Sequence, residues 1–153
     1  AGEPPRRDPP AEAVPITGRA PVRTMNEAAQ LQNPLQPVPE VLERGQRLFQ
    51  LNCQSCHGPA ADGRGIIASY FQAANTRVPP NLLAPPTANR SDGELYVIIR
   101  QGTGPLARGA GVMPPFGNLL SSEDTWAIIT YIRSLQRGAP GQQPAATPTP
   151  ARQ

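Results

Sequence analysis

The chain's two cysteines and its one histidine fall together in Cys53-Gln54-Ser55-Cys56-His57. On a helical turn, residues three and four apart share a face, so both thiols and the imidazole would project from one side. This is the C-x-x-C-H pattern to which c-type haem is attached. Each thiol can reach one porphyrin vinyl group, and His57 then lies under the iron as proximal axial ligand. Three other chemistries compete for the same residues. A thioredoxin-like C-x-x-C requires a βαβ setting, and no strand-helix-strand alternation surrounds this one. A structural zinc site needs four protein ligands, so carboxylates would have to complete it around the crowded neighbours Cys56 and His57. A disulfide between Cys53 and Cys56 would close a tiny, strained loop and leave His57 unexplained.

A haem iron has a second axial face, and Met113, in Gly111-Val112-Met113-Pro114-Pro115-Phe116, is the candidate for it. A thioether there raises the reduction potential and closes the iron to small ligands, as electron transfer requires. Methionine is more often core filler. Here, however, the other methionine, Met25, sits in a proline-rich stretch, and the single histidine is already used. The run Val78-Pro79-Pro80-Asn81-Leu82-Leu83-Ala84-Pro85-Pro86 can be neither regular helix nor central strand. As a stiff loop it offers the carbonyl of Pro79 or Pro80 to the Nδ1 proton of His57, which would fix the imidazole and raise its basicity. A simple connecting loop is the alternative.

The elements that position these residues are legible in part. Residues 1–38 are dominated by clusters such as Glu3-Pro4-Pro5 and Asp8-Pro9-Pro10. They read as an extended arm or disordered linker, with a short helical turn at Met25–Gln32. Val14, Ile16, Val22, Met25 and Leu31 would then be free to fill pockets on a partner. The globular region, residues 39–138, opens at Pro39-Glu40, which suits a helix start. Val41, Leu42, Gly45, Leu48 and Phe49 recur at helical spacing toward Cys53. Gly45 weakens such a helix, and its presence points to close approach of another backbone. Gly58-Pro59 and Asp62-Gly63-Arg64-Gly65 are turn chemistry, with a short helix over Ile66–Gln72. Ser91-Asp92-Gly93-Glu94 is a capping box that opens a helix ended by Gly102. Gly102 to Gly111, rich in glycine, can drape over a flat ligand and deliver Met113. The last helix starts at Ser121 or Ser122 and carries Trp126, Ile128, Ile129, Tyr131, Ile132 and Leu135 on a broad apolar face. Gly138 and Pro140 end it, and residues 139–153 read as a disordered tail.

Composition agrees with a wrapper around one cofactor. Of 153 residues, 38% are hydrophobic and 5% aromatic, thin for a core of side chains alone. The net charge is +3, and all 14 basic residues are arginine. Ferric haem with two ionised propionates adds about −1, leaving a mildly basic holoprotein. Neither a basic stripe nor arginine-aromatic interleaving is present, which argues against nucleic acid as a partner. No apolar run approaches the roughly 20 residues that span a bilayer. Ala1, with no charged start and apolar region after it, reads as a processed start.

With these parts placed, the chain resembles the class I cytochrome c family in its single-haem form. The resemblance covers residues 39–138. It rests on Cys53-x-x-Cys56-His57, on Gly45 and Phe49 before it, on Met113-Pro114 after it, and on the Trp126–Leu135 helix. It implies an all-α fold in which the first and last helices cross near Gly45, Phe49 and Tyr131. It further implies one haem c bound through Cys53 and Cys56, with His57 and Met113 on the iron. Haem attachment in this family takes place on the outer side of the energy-coupling membrane, so a periplasmic location or the outer face of a bacterial cytoplasmic membrane is expected.

Within the family, Ser91-Asp92-Gly93-Glu94-Leu95-Tyr96, Met113-Pro114 and the stretch Trp126–Gln136 are similar to the monohaem subunit of alternative complex III, a bacterial quinol-oxidising membrane assembly. That likeness implies an electron-transfer subunit of a respiratory or photosynthetic complex. Its partners would be other subunits, among them a haem or iron-sulfur donor and a soluble or oxidase acceptor. Membrane association would come through those partners or through an unseen anchor. The chain departs from soluble mitochondrial-type carriers in lacking lysine, hence the lysine ring by which they dock. A free soluble carrier and the cytochrome domain of an oxidase or dehydrogenase are the nearest alternatives. Haem peroxidase or haem sensor readings would require an open or displaceable distal site, against which Met113 counts.

Overall fold

The computed structural model describes residues 24–103 and 113–138. Most of the expected glycine-rich drape, the start of the arm and the tail lie outside the described residues. Among the described residues every regular element is helical: α1 (Met25–Ala29), α2 (Pro39–Asn52), α3 (Gln54–His57), α4 (Ala68–Ala73), a 3-10 turn at Thr87–Asn89, α5 (Asp92–Gln101) and α6 (Ser122–Arg137). The class is all-α, as expected, and α4 begins two residues later than the sequence pattern placed it.

The two longest helices form the frame. α2 starts on Pro39 without a side-chain cap, and proline at that position forfeits only an amide that had no partner in any case. α6 starts on a reciprocal box, in which the Ser121 hydroxyl accepts from Asp124 N at 3.0 Å and the Asp124 carboxylate accepts from Ser121 N at 3.2 Å. Each bond satisfies an amide that the first helical turn leaves open. The helices cross where Gly45 meets α6: a Cβ there would collide with the Ala127 carbonyl oxygen and stand 2.8 Å from Tyr131 Cβ. Phe49, one turn on and wholly buried, packs its ring at 5.7 Å and 57° to that of Tyr131. Arg44 ties the outer side of the crossing, donating from Nε (3.0 Å) and Nη2 (2.7 Å) to Asp124 and from Nη1 (2.8 Å) to Glu123.

α5 completes the core from a third side. Its own box joins Ser91 and Glu94, at 3.1 Å and 2.7 Å. Leu95 and Ile99 then enter the cluster made by Phe49, Trp126, Ile128, Ile129 and Ile132. Tyr96 stacks on Trp126 with ring centroids 4.2 Å apart.

The segment before α2 departs from the expectation of a separate arm. From residue 24 onward it packs on the helices. Thr24 and Glu27 form a capping box for α1, and Ala28 is buried against α5, where a Cβ on Gly93 would strike the Ala28 carbonyl. Leu31 and Leu35 pack on the central cluster, so Leu31 contributes to this chain's own core. Asn33 donates to Thr130 Oγ1 at 2.9 Å while its own oxygen accepts from Leu35 N at 3.0 Å. Proline counts report what a backbone cannot form by itself. They are silent on packing that rests on a glycine-alanine contact and one asparagine.

Candidate haem site

The site begins where α2 ends. Cys53 is at once the C-cap of α2, its amide on the Phe49 carbonyl at 2.8 Å, and the residue before α3. His57 N closes back on Cys53 O at 2.9 Å, so the motif is a single helical turn. Cys53 is buried in the apolar cluster, Cys56 is half-buried, and the two are not joined in a disulfide. Burial, with a smaller push from Cys56, raises the Cys53 thiol to about 12. The environment therefore favours an uncharged sulfur, and a thioether is uncharged.

His57 is 7% exposed, and its Nδ1 stands 3.2 Å from the Pro80 carbonyl oxygen. With Nδ1–H donating there, Nε2 is the nitrogen left with a free lone pair. Burial lowers the imidazole's pKa and the Pro80 carbonyl opposes that shift in part. The neutral form, the one a metal takes, is thus favoured. Of the two candidate prolines, Pro80 is the partner. The Pro79 carbonyl turns instead toward Gly63, where an added Cβ would lie 2.7 Å from it.

Between motif and proline loop runs a strap of turns that the sequence pattern showed only as turn chemistry. Gly63 N donates to His57 O (2.8 Å), Gly65 N to Cys56 O (3.2 Å) and Ile67 N to Ser55 O (3.1 Å), while Leu82 N reaches Ala61 O at 2.8 Å. Gly58 and Gly63 both have φ near +80°, which glycine adopts at no steric cost. A Cβ on Gly65 would run into the Ser55 and Cys56 carbonyls. Asp62-Gly63-Arg64-Gly65 was the available signal, but spacing alone does not say which backbone a glycine lies against.

Met113 arrives on a clamp. Its amide donates to Thr103 Oγ1 at 2.9 Å and its carbonyl accepts from Thr103 N at 3.0 Å. Gly102, at φ +72°, makes room for this, since a Cβ would stand 2.5 Å from Met113 O. Arg100 fixes the far side through Leu120 O (2.9 Å) and Gly117 O (3.0 Å). Met113 packs with Leu83, Tyr96 and Phe116 against the cluster that contains Cys53. The structure thus joins His57 to Pro80 directly, brings Met113 and Cys53 to one apolar cluster, and sets the Pro79 carbonyl apart.

These residues fit a haem. The donor set is two sulfurs for covalent links, one imidazole nitrogen and one thioether, beside apolar side chains. Among the described residues no group of three or more His, Cys, Asp or Glu is gathered to hold a metal ion. Helical frame and site together define a monohaem class I c-type cytochrome, an electron-transfer domain with haem c bound through Cys53 and Cys56. The chain belongs to the family described as cytochrome c oxidase, cbb3-type, subunit III, whose model matches residues 40–132.

Among solved structures, a chain of the Kuenenia stuttgartiensis reducing HAO-like protein complex is similar at 24% identity and a TM-score of 0.52, over 70% of this chain and 48% of that one. Cytochrome CL from the methylotroph Methylophaga aminisulfidivorans is similar at 27% identity and a TM-score of 0.45, over 63% of this chain and 53% of that one. The chain spans about half the length of these two neighbours, and the first likeness shows the fold. No curated protein matches the chain.

Proposed function

We propose that the protein passes single electrons through a haem c ligated by His57 and Met113, as a subunit of a membrane-bound quinol-oxidising assembly similar to alternative complex III. The observation that carries the ligation is the pair of clamps. His57 is kept neutral by burial and its ring is fixed by the Pro80 carbonyl 3.2 Å from Nδ1, and Met113 is held by the reciprocal bonds with Thr103. Haem c supplies one-electron exchange at its iron. The protein's part is to hold both axial side chains still and to keep water away with the apolar cluster, which limits rearrangement when the charge changes. No helix among the described residues is long and apolar enough to cross a membrane. Attachment at the outer face of the bacterial membrane therefore falls to partner subunits or to an anchor beyond the described residues.

A second reading, the cytochrome c domain of a terminal oxidase, draws support from the description of the family itself. Purification of the cytochrome from native membranes separates the two. Quinol-driven haem reduction in a complex without oxygen uptake is the expected result. Co-purification with an oxygen-consuming haem-copper subunit would favour the oxidase reading. Release of the cytochrome by a salt wash, with no companion subunits, would overturn both in favour of a free carrier.

A further inference from the structure

We propose that Gln136, on the last turn of α6, is a positioning residue for the proximal side of the haem: it holds the loop whose Pro80 carbonyl takes the His57 Nδ1 proton. The inference rests on the reading of His57 as an iron ligand and adds a residue to it.

Pro79 and Pro80 have no amide hydrogen, so the loop cannot be anchored through donors at the two residues where its position matters most. The anchor lies two residues on. Leu82 N donates to Ala61 O at 2.8 Å and Leu82 O accepts from Gln136 Nε2 at 2.7 Å. The Leu82 side chain is buried in the core. The orientation of the Gln136 amide is set from behind. Its Oε1 accepts from Arg133 Nη1 at 2.7 Å, and a guanidinium can only donate, so the amide NH2 must face Leu82. Arg133 in turn is fixed by Asp92 Oδ1 at 2.7 Å, by the Ala88 carbonyl at 3.2 Å and by the Arg90 carbonyl. The last helix thereby reaches the imidazole through one amide and a short, stiff stretch of backbone. A carbonyl held at Nδ1 makes the imidazole a stronger electron donor to iron and favours the oxidised state. Loosening it should raise the reduction potential and open the Nδ1 proton to solvent.

Gln136→Glu keeps the size and the acceptor for Arg133 but turns an oxygen toward Leu82 O, and Gln136→Met removes both bonds at similar volume. Each is made in the full-length holoprotein. The exchange of the iron-shifted His57 Nδ1 proton with deuterated water is followed by NMR, beside the reduction potential and the melting temperature. Exchange several-fold faster than in the parent, with a raised potential, in both variants is the expected result. Parental exchange in both variants overturns the proposal, whatever the melting temperature does. If the parent itself shows no such proton, the ligation by His57 fails first and the proposal fails with it, which is a different outcome from an unchanged variant.

Discussion

At the scale of single residues, the imidazole and the thioether do unlike work. His57 is fixed by one bond to a proline carbonyl, and Met113 by its backbone, through Thr103, with its side chain packed against the apolar cluster. Met113→Ala should therefore keep the loop and lose only the sulfur. Its holoprotein should show a lower reduction potential, carbon monoxide binding in the reduced state and loss of the sulfur-to-iron absorption band. A variant that keeps the parental potential and that band would show that Met113 is not the ligand. Cys53, Cys56 and His57 were legible because their relation is local, fixed by the helical turn. The choice between Pro79 and Pro80 was not legible. It depends on the Pro79 carbonyl turning to Gly63, and that contact is made across the fold. Gly63→Ala should test it: φ there is +83°, and the added methyl would meet the Pro79 carbonyl. Strain and overlap together should cost about 1 to 3 kcal/mol, read as a lower melting midpoint. A parental midpoint would mean that the strap moves freely.

At the scale of elements, the crossing of α2 and α6 was readable from one misplaced glycine, because a helix interior accepts that cost only where something is gained by the missing Cβ. Gly45→Leu should cost about 1 to 3 kcal/mol or more, since its Cβ alone already overlaps the Ala127 carbonyl. The thioether links lie a turn and more away and should still form. An unchanged melting midpoint would reject the crossing as a tight contact. The start of α6 carries a pH dependence. The Asp124 carboxyl is held below its usual range by the Ser121 hydroxyl first, against the opposing effect of burial, and then by Arg44. A depressed folded-state pKa means that the unfolded chain binds the proton more readily. The stabilisation is then complete above the ordinary carboxylate value of about 3.9 and is lost as pH falls through the folded value. The parental midpoint should thus drop more steeply than that of Asp124→Asn as the pH is lowered below about 4. Parallel curves would show that the carboxylate contributes nothing beyond its shape.

At the scale of the whole molecule, the pattern of the helices from residue 39 onward was readable, while the packing of residues 24–38 was not. The first depends on apolar spacing within each helix. The second depends on Gly93, which stood in the sequence as one letter of a capping box, and on Asn33, which carries no periodic signal at all. In the structure Gly93 admits the Ala28 carbonyl, and Asn33 reaches Thr130 on α6. The segment thus closes the side of α5 and α6 that the two-helix frame leaves open. A chain that begins at residue 39 should keep haem attachment and the parental visible spectrum, because His57 and Met113 are held through Pro80 and Thr103, which that chain retains. Its melting midpoint should be lower, since Leu31 and Leu35 no longer cover the central cluster. Two single changes in the full chain divide that loss. Asn33→Ala removes the bonds to Thr130 and from Leu35 N, while Thr130 keeps its bond to the Trp126 carbonyl at 2.9 Å. Only the amide of half-buried Leu35 is then left to find water, and the cost should be about 1 kcal/mol. Gly93→Leu forces α1 off α5 and should cost more, about 1 to 3 kcal/mol. Thermal melts of the three holoproteins check the order: truncation lowest, Gly93→Leu next, Asn33→Ala nearest the parent. If the truncated chain melts with the parent, residues 24–38 lie on the helices without stabilising them, and their contacts must be explained by a partner that binds over them.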